Sequence, residues 1–267
     1  MTLIRITLLI VFPLLAYGQQ AGKIDLTHWK LELPTGYTAS GWKLSNFQQD
    51  KFAQPFFYLD SIDGSLVMEA YPSAGKSKAK YTKNSLREQM IPGKSSKNWT
   101  LQEGGILTAE FQVTEMSKET PKKYHRTLLF EVQGRTSKEQ NEKLGREKSI
   151  SIPLLKIYWQ NERIRVQRKV LKDESTSGQD LFEKSAWQDD PGRYFKGNVS
   201  FEKASIKIHV ADGRIEVHLN DLKPMIYRDA SIRKWPFENY FNAGNYLQTK
   251  APGSKAVVKL YQLEVTH

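Results

Sequence analysis

Seven short runs rich in β-branched, aromatic and leucine residues constrain this chain more than any other feature. They are 106–113, 126–132, 154–159, 163–170, 204–210, 214–219 and 256–265. Runs of this length and composition, bounded by turn residues, read as strands. Asp212-Gly213 joins two of them as a tight hairpin, and Asn161-Glu162 is expected to do the same between Tyr158 and Ile164. Helical periodicity is scarce. Residues 137–148 tolerate a helix but carry no apolar stripe, so they read as a solvated loop or lid. Residues 171–195, dense in Asp, Glu, Ser and Gly, read as a second loop. Many short strands with few helices imply an all-β fold, a β-jelly roll of two curved antiparallel sheets.

The first 18 residues read as an export signal. Arg5 gives a positive start, residues 6–15 an apolar core, and Ala16-Tyr17-Gly18 a small-residue exit. The apolar stretch is too short for a permanent span. The expected location is secreted or periplasmic, with residues 19–267 forming one domain that acts as a monomer. There is no cysteine, so the fold must rest on a packed core rather than disulfides. The formal charge of +11 favours an acidic polymer as partner. A basic recognition helix and an aromatic platform motif are both missing, which argues against nucleic acid.

Three segments alternate polar side chains onto one face, because neighbours along a strand point to opposite sides. The first presents Lys83, Ser85, Arg87 and Gln89. The second presents His125, Thr127, Leu129, Glu131 and Gln133, with Leu128, Phe130 and Val132 turned to the core. The third, Tyr240 to Gln248, presents Asn242, Gly244, Tyr246 and Gln248. Gly244 leaves a gap through which something can approach the backbone. Amides, a guanidinium and a phenol on adjoining faces suit a sugar groove better than a core. Lys156 shares a side with Tyr158 and Gln160 and reads as a binding contact. His28 reads as a packing or capping residue, and His209 and His218 as surface residues flanking a hairpin. No His/Asp/Glu cluster has metal-ligand spacing, and no cofactor is called for.

These segments resemble the alginate lyases of polysaccharide lyase family 7. Residues 24–34 are similar to that family's entry segment, and Lys83 to Glu88 to its R-[ST]-E-L-R motif followed by Glu. Glu131-Val132-Gln133-Gly134 stands where the family has Q-[IV]-H. Residues 240–248 resemble its Y-F-K-A-G-x-Y-x-Q, and residues 258–267 its last strand. The resemblance implies a jelly roll that cleaves an acidic polysaccharide by β-elimination. It assigns catalysis to Tyr246 as base, acid or both, and to Arg87 and Gln133, which neutralise the uronate carboxylate. Lys83, Glu131, Lys156, Asn242, Gln248 and Gln89 become substrate contacts. The chemistry fits these residue types. A C5 proton beside a carboxylate becomes acidic only when that charge is neutralised, and a guanidinium fork matches a carboxylate. A tyrosine base needs a cationic setting to lower its pKa from about 10.

The chain departs from the pattern. Ser85 replaces a glutamate, Lys83 an arginine, Asn242 a lysine, Glu131 a glutamine and Gln133 the histidine. Gln133 cannot exchange protons, and Glu131 repels a uronate unless paired. Alginate is therefore the default substrate, ulvan or a glucuronan the variant, and a carbohydrate-binding jelly roll without catalysis the rival class.

Overall fold

The apolar halves of the alternating runs pair into two sheets whose inner faces close on each other. The computed structural model describes residues 24–41, 44, 53–72 and 80–267. The export signal expected over residues 1–18 lies outside the described residues. The front sheet runs β12 (Trp187–Asp189), β11 (Arg163–Leu171), β10 (Ser151–Gln160), β9 (Arg126–Arg135), β17 (Glu238–Leu247), β5 (Thr82–Glu88), β1 (Trp29–Glu32) and β2 (Thr38–Ser40), with β13 (Arg193–Tyr194) also pairing β11. The back sheet runs β16 (Met225–Tyr227), β15 (Arg214–Leu219), β14 (Ala204–Ala211), β6 (Gly105–Met116), β18 (Ala256–Thr266), β4 (Leu66–Ala70) and β3 (Phe57–Leu59). A small ribbon pairs β7 (Lys118–Thr120) with β8 (Lys123–Tyr124). Every pairing in the two large sheets is antiparallel. The seven strands expected from the sequence all form, and the all-β jelly-roll expectation holds.

The two hairpins form as expected. Ala211 pairs Arg214 across Asp212-Gly213, and Gln160 pairs Arg163 across Asn161-Glu162. Asn161 and Glu162 take φ of 48° and 62°, the double left-handed geometry of a type I′ turn. The two expected loops are corrected. Residues 138–143 form helix α1 (Lys138–Lys143). Ser137 caps the Gln140 backbone N–H, and Gln140 caps Ser137 in return. This reciprocal box starts a helix without an apolar stripe. Within 171–195, two 3₁₀ turns (Gly178–Phe182, Lys184–Ala186) lead into β12 and β13, which extend the front sheet.

The core lies between the sheets. Phe111 of β6 meets Phe130 of β9 edge-on at 5.4 Å, a geometry aromatic pairs prefer. Two polar ties cross the same space. Asn245 donates to the Met68 and Ala256 carbonyls of β4 and β18, both at 2.9 Å, and accepts from Thr127 Oγ1 of β9 at 2.7 Å. Glu88, 2% exposed, accepts from Trp99 Nε1 (2.9 Å) and the Phe241 N–H (2.8 Å), and pairs with His267 Nε2 at 2.6 Å. His267 Nδ1 lies 2.9 Å from the Gly104 carbonyl, which can only accept. Both ring nitrogens therefore act as donors, so the imidazole is charged. Although partial burial opposes the charge, the bonds to Glu88 and Gly104 raise its pKa above 6.5.

Two predictions follow from this tie. Glu88→Ala leaves two buried donors and an imidazolium without their acceptor, and should cost about 3–5 kcal/mol in denaturant unfolding. Because the His267 pKa is raised on folding, its stabilisation is full below about pH 6.5 and fades as pH rises through the folded value. Melting temperature should therefore fall more steeply across that alkaline window in the wild type than in His267→Gln. Parallel slopes would refute the charged assignment.

Candidate functional site

The site is built by three adjacent strands. β17 lies between β9 and β5, so the three polar faces read from the sequence meet on the outer side of the front sheet. The register aligns one cross-sheet row: Lys30, Arg87, Asn242, Glu131, Lys156 and Gln167. A second row holds Lys83, Tyr246, Leu128, Tyr158 and Arg165. Between them Gly244 pairs with Ser85.

The second row corrects the expected face of β9. Leu129 is an extra residue against β10, where Ile157 pairs Phe130 and the next residue, Tyr158, pairs Leu128; the register with β17 shifts at the same place. Such an extra residue changes which side later residues face. Glu131 and Gln133 stay on the groove side, but Leu128 replaces Leu129 beside Tyr246. Thr127 turns inward to bond Asn245. The bulge also brings Arg126, 5.1 Å from the Tyr158 ring, to the groove end.

Each candidate has a definite setting. Arg87 is 5% exposed, and its guanidinium lies 3.9 Å from the centre of the Tyr240 ring. Its Nη2 donates to the Ser95 carbonyl (2.9 Å) and to Asn98 Oδ1 (3.1 Å). It does not pair with Glu88, which points to the opposite face. Burial lowers its pKa below the usual arginine value, yet the group stays cationic. Among the described residues, Arg87 Nε, Ser85 Oγ and Asn242 Oδ1 are buried beneath the groove without a hydrogen-bond partner. Asn242 Nδ2 donates to Glu131 Oε2 at 3.2 Å. Among the described residues, Glu131 has no cation within 4 Å, and its Oε1 accepts no hydrogen bond. Lys156 opposite it is drawn to Asp189 at 2.6 Å. Lys83 lies 3.8 Å from Glu32.

Tyr246 differs from expectation. Its pKa is raised, not lowered, because burial outweighs the pull of Lys83 and the Glu131 charge adds to the rise. The phenol is therefore protonated at neutral pH. Its ring meets Tyr81 edge-on at 6.3 Å. Lys83, Ser85, Glu131, Asn242, Gly244 and Tyr246 share the lining of one cavity of about 10 Å³, room for about one water.

Other candidates are placed elsewhere. Gln133 donates to Ser151 Oγ at 2.8 Å and pairs across from Tyr240, on the far side of Arg87 from Tyr246. Gln89 is 1% exposed, bonded to Ser95 Oγ and the Gly93 N–H, and stays inside its own turn. Gln248 donates to the Tyr246 carbonyl and, with His125, Arg126 and Tyr81, lines a 460 Å³ pocket at the groove end. His28 Nδ1 donates to the Gln89 carbonyl, a packing role. Sequence reasoning missed Tyr240, Asn98 and Arg126. The aromatic at 240 shares the parity of Tyr246 and was legible, whereas Arg126 depends on the bulge. No group of three or more His, Cys, Asp or Glu side chains that could hold a metal ion occurs among the described residues.

The gap at Gly244 is filled from within. A Cβ there would run into the Asn84 carbonyl and approach Ser85 Cα to 2.7 Å. What comes close is the neighbouring strand, whose backbone cannot give way. Gly244→Ala should therefore lower the melting temperature markedly and distort the floor beside Tyr246. A melting curve that matches the wild type would contradict this.

Comparison with known proteins bears on this groove. A family model described as alginate lyase matches residues 24–267. No curated protein sequence matches. Among solved structures, alginate lyase A1-II′, a member of polysaccharide lyase family 7, is similar with 25% identity and a TM-score of 0.71, over 93% of this chain and 98% of that one. That enzyme has also been solved with the product GGG and with the substrate GGMG. The alginate lyase from Klebsiella pneumoniae shares the fold at 16% identity and a TM-score of 0.67, over 93% of this chain and 98% of that one. The one from Pseudomonas aeruginosa does so at 18% and 0.64, over 91% and 99%.

Proposed function

This chain belongs to the alginate lyase family, and from that premise we propose that it cleaves alginate by β-elimination in the groove over β9, β17 and β5. The observation that carries the reading is the shared cavity at which Tyr246, Lys83, Glu131 and Asn242 converge. Arg87 lies beneath the groove in the same row as Asn242. Its guanidinium is held by the Ser95 and Asn98 oxygens rather than by a carboxylate, so its charge is available to an anion. A fixed cation in a dry floor costs no reorganisation as charge develops on the uronate. Lys83, cross-strand from Tyr246, supplies a second cation that can move with the sugar. Gln133 contributes an amide to the flank.

Tyr246 serves in proton transfer. Protonated in the free enzyme, it is suited to donate to the glycosidic oxygen as the C4–O bond breaks. The products are a new reducing end and an unsaturated uronate. The Glu131 carboxylate on the floor gives a second substrate reading, ulvan or a glucuronan, in which it holds a neutral hydroxyl. The sequence of residues 1–18 supports export of the mature chain, where such polymers are met.

Ultraviolet absorbance of the unsaturated product should rise when the protein is incubated with alginate, ulvan or glucuronan. Tyr246→Phe should lower kcat by about 10²–10⁴-fold while keeping the wild-type melting temperature. Binding without any absorbance rise on all three polymers would favour a non-catalytic carbohydrate-binding protein. Full activity of the Phe variant would remove Tyr246 from the chemistry.

A further inference from the structure

We propose that Glu131 is the base of this enzyme: it removes the C5 proton, while Tyr246 protonates the leaving oxygen. The inference rests on the lyase reading above and names the missing half of its proton chemistry.

The geometry leaves few alternatives. Gln133 stands where a titratable group is expected, has no exchangeable proton at neutral pH, and is tied to Ser151 at 2.8 Å. Tyr246 is kept protonated by burial and by the Glu131 charge, so its basic form is scarce. Glu131 is the carboxylate that shares a cavity with Tyr246. The bulge between Phe130 and Leu128 keeps Glu131 on the groove side while placing Tyr246 across from Leu128. Carboxylate and phenol thus lie on either side of the Gly244–Ser85 pair, within one shared lining.

The surroundings preserve Glu131 as a proton acceptor. Asn242 Nδ2 holds Oε2 at 3.2 Å and fixes the carboxylate, leaving Oε1 free among the described residues. By register and shared lining, its charged and titratable neighbours among the described residues are Lys156 and Tyr158 from β10, Tyr246 and Tyr240 from β17, and Lys83 and Arg87 from β5. Lys156, the nearest by register, is bound to Asp189 at 2.6 Å. Arg87 is engaged by the Ser95 and Asn98 oxygens. A directly paired cation would make the carboxylate a weaker base, and none is paired with it among the described residues.

The step balances. The C5–H proton passes to a Glu131 oxygen, and its bonding pair forms the C4=C5 double bond. The C4–O bond breaks, its pair goes to the oxygen, and that oxygen takes the Tyr246 proton. Solvent then returns a proton to the phenolate and removes one from Glu131.

The test uses Glu131→Gln and Glu131→Ala on whichever polymer the wild type cleaves, with melting curves to confirm that both variants fold. Glu131→Gln should lose about 100-fold or more in kcat with KM within a few-fold. Added formate should restore turnover to Glu131→Ala in a saturable way, because a small carboxylate can occupy the vacated space and take the proton. A Gln variant with kcat near wild type, or an Ala variant that formate does not rescue, would overturn the proposal and leave Glu131 a binding or structural role. Wild-type inactivity on every polymer would instead sink the lyase reading. Active wild type with active Glu131→Gln would sink only this one.

Discussion

The buried carboxylate of Glu88 is the interaction on which the rest of the molecule depends. It gathers the Trp99 indole, the Phe241 N–H and the His267 imidazolium into one cluster. β5, β17 and the end of β18 are thereby fixed to one another across the core. A buried charge is tolerated only when it is paired and hydrogen-bonded, and each of those partners is itself held. Trp99 forms a bridge with Asn239, and His267 also binds the Gly104 carbonyl. The neighbouring residue on the same strand, Arg87, faces the other way and holds the following loop through Ser95 and Asn98. One turn of chain, 95–99, is therefore gripped from the core by Glu88 and from the groove by Arg87. Core integrity and groove charge share an anchor.

The charge on the groove is more organised than a net charge of +11 suggests. Lys156 and Lys169 converge on Asp189 at 2.6 and 2.9 Å, and Arg87 stacks on Tyr240. The cations are placed by neighbours rather than spread over the surface. Glu131 stands among them bonded to the Asn242 amide and, among the described residues, without a paired cation, which is what gives the site its chemical asymmetry.

Much of this was legible in the sequence because the back sheet and the groove strands obey a period of two. β6 and β14 alternate buried and partly exposed residues along most of their length. The motif around Tyr246 placed β17 correctly, and its polar face did meet those of β5 and β9. What could not be read depended on contacts distant in sequence. The bulge at Leu129 reversed the parity of residues 126–128. The rise in the Tyr246 pKa came from burial that only the assembled sheet provides. Gln89 shares the parity of Arg87, yet the turn it closes absorbs both ends of its amide. The capping box of α1 was present in the sequence as Ser137 and Gln140, but the missing apolar stripe outweighed it.

Asn245 carries a further implication. It is adjacent to Tyr246, and its amide is bonded to β4 and β18 of the back sheet. The position of the phenol is thus indexed to the opposite wall of the molecule. A substitution in β4 or β18, remote from the groove, can shift the Tyr246 phenol by moving those two carbonyls. The back sheet then becomes a place where drift in sequence can reshape the groove while every groove residue stays the same.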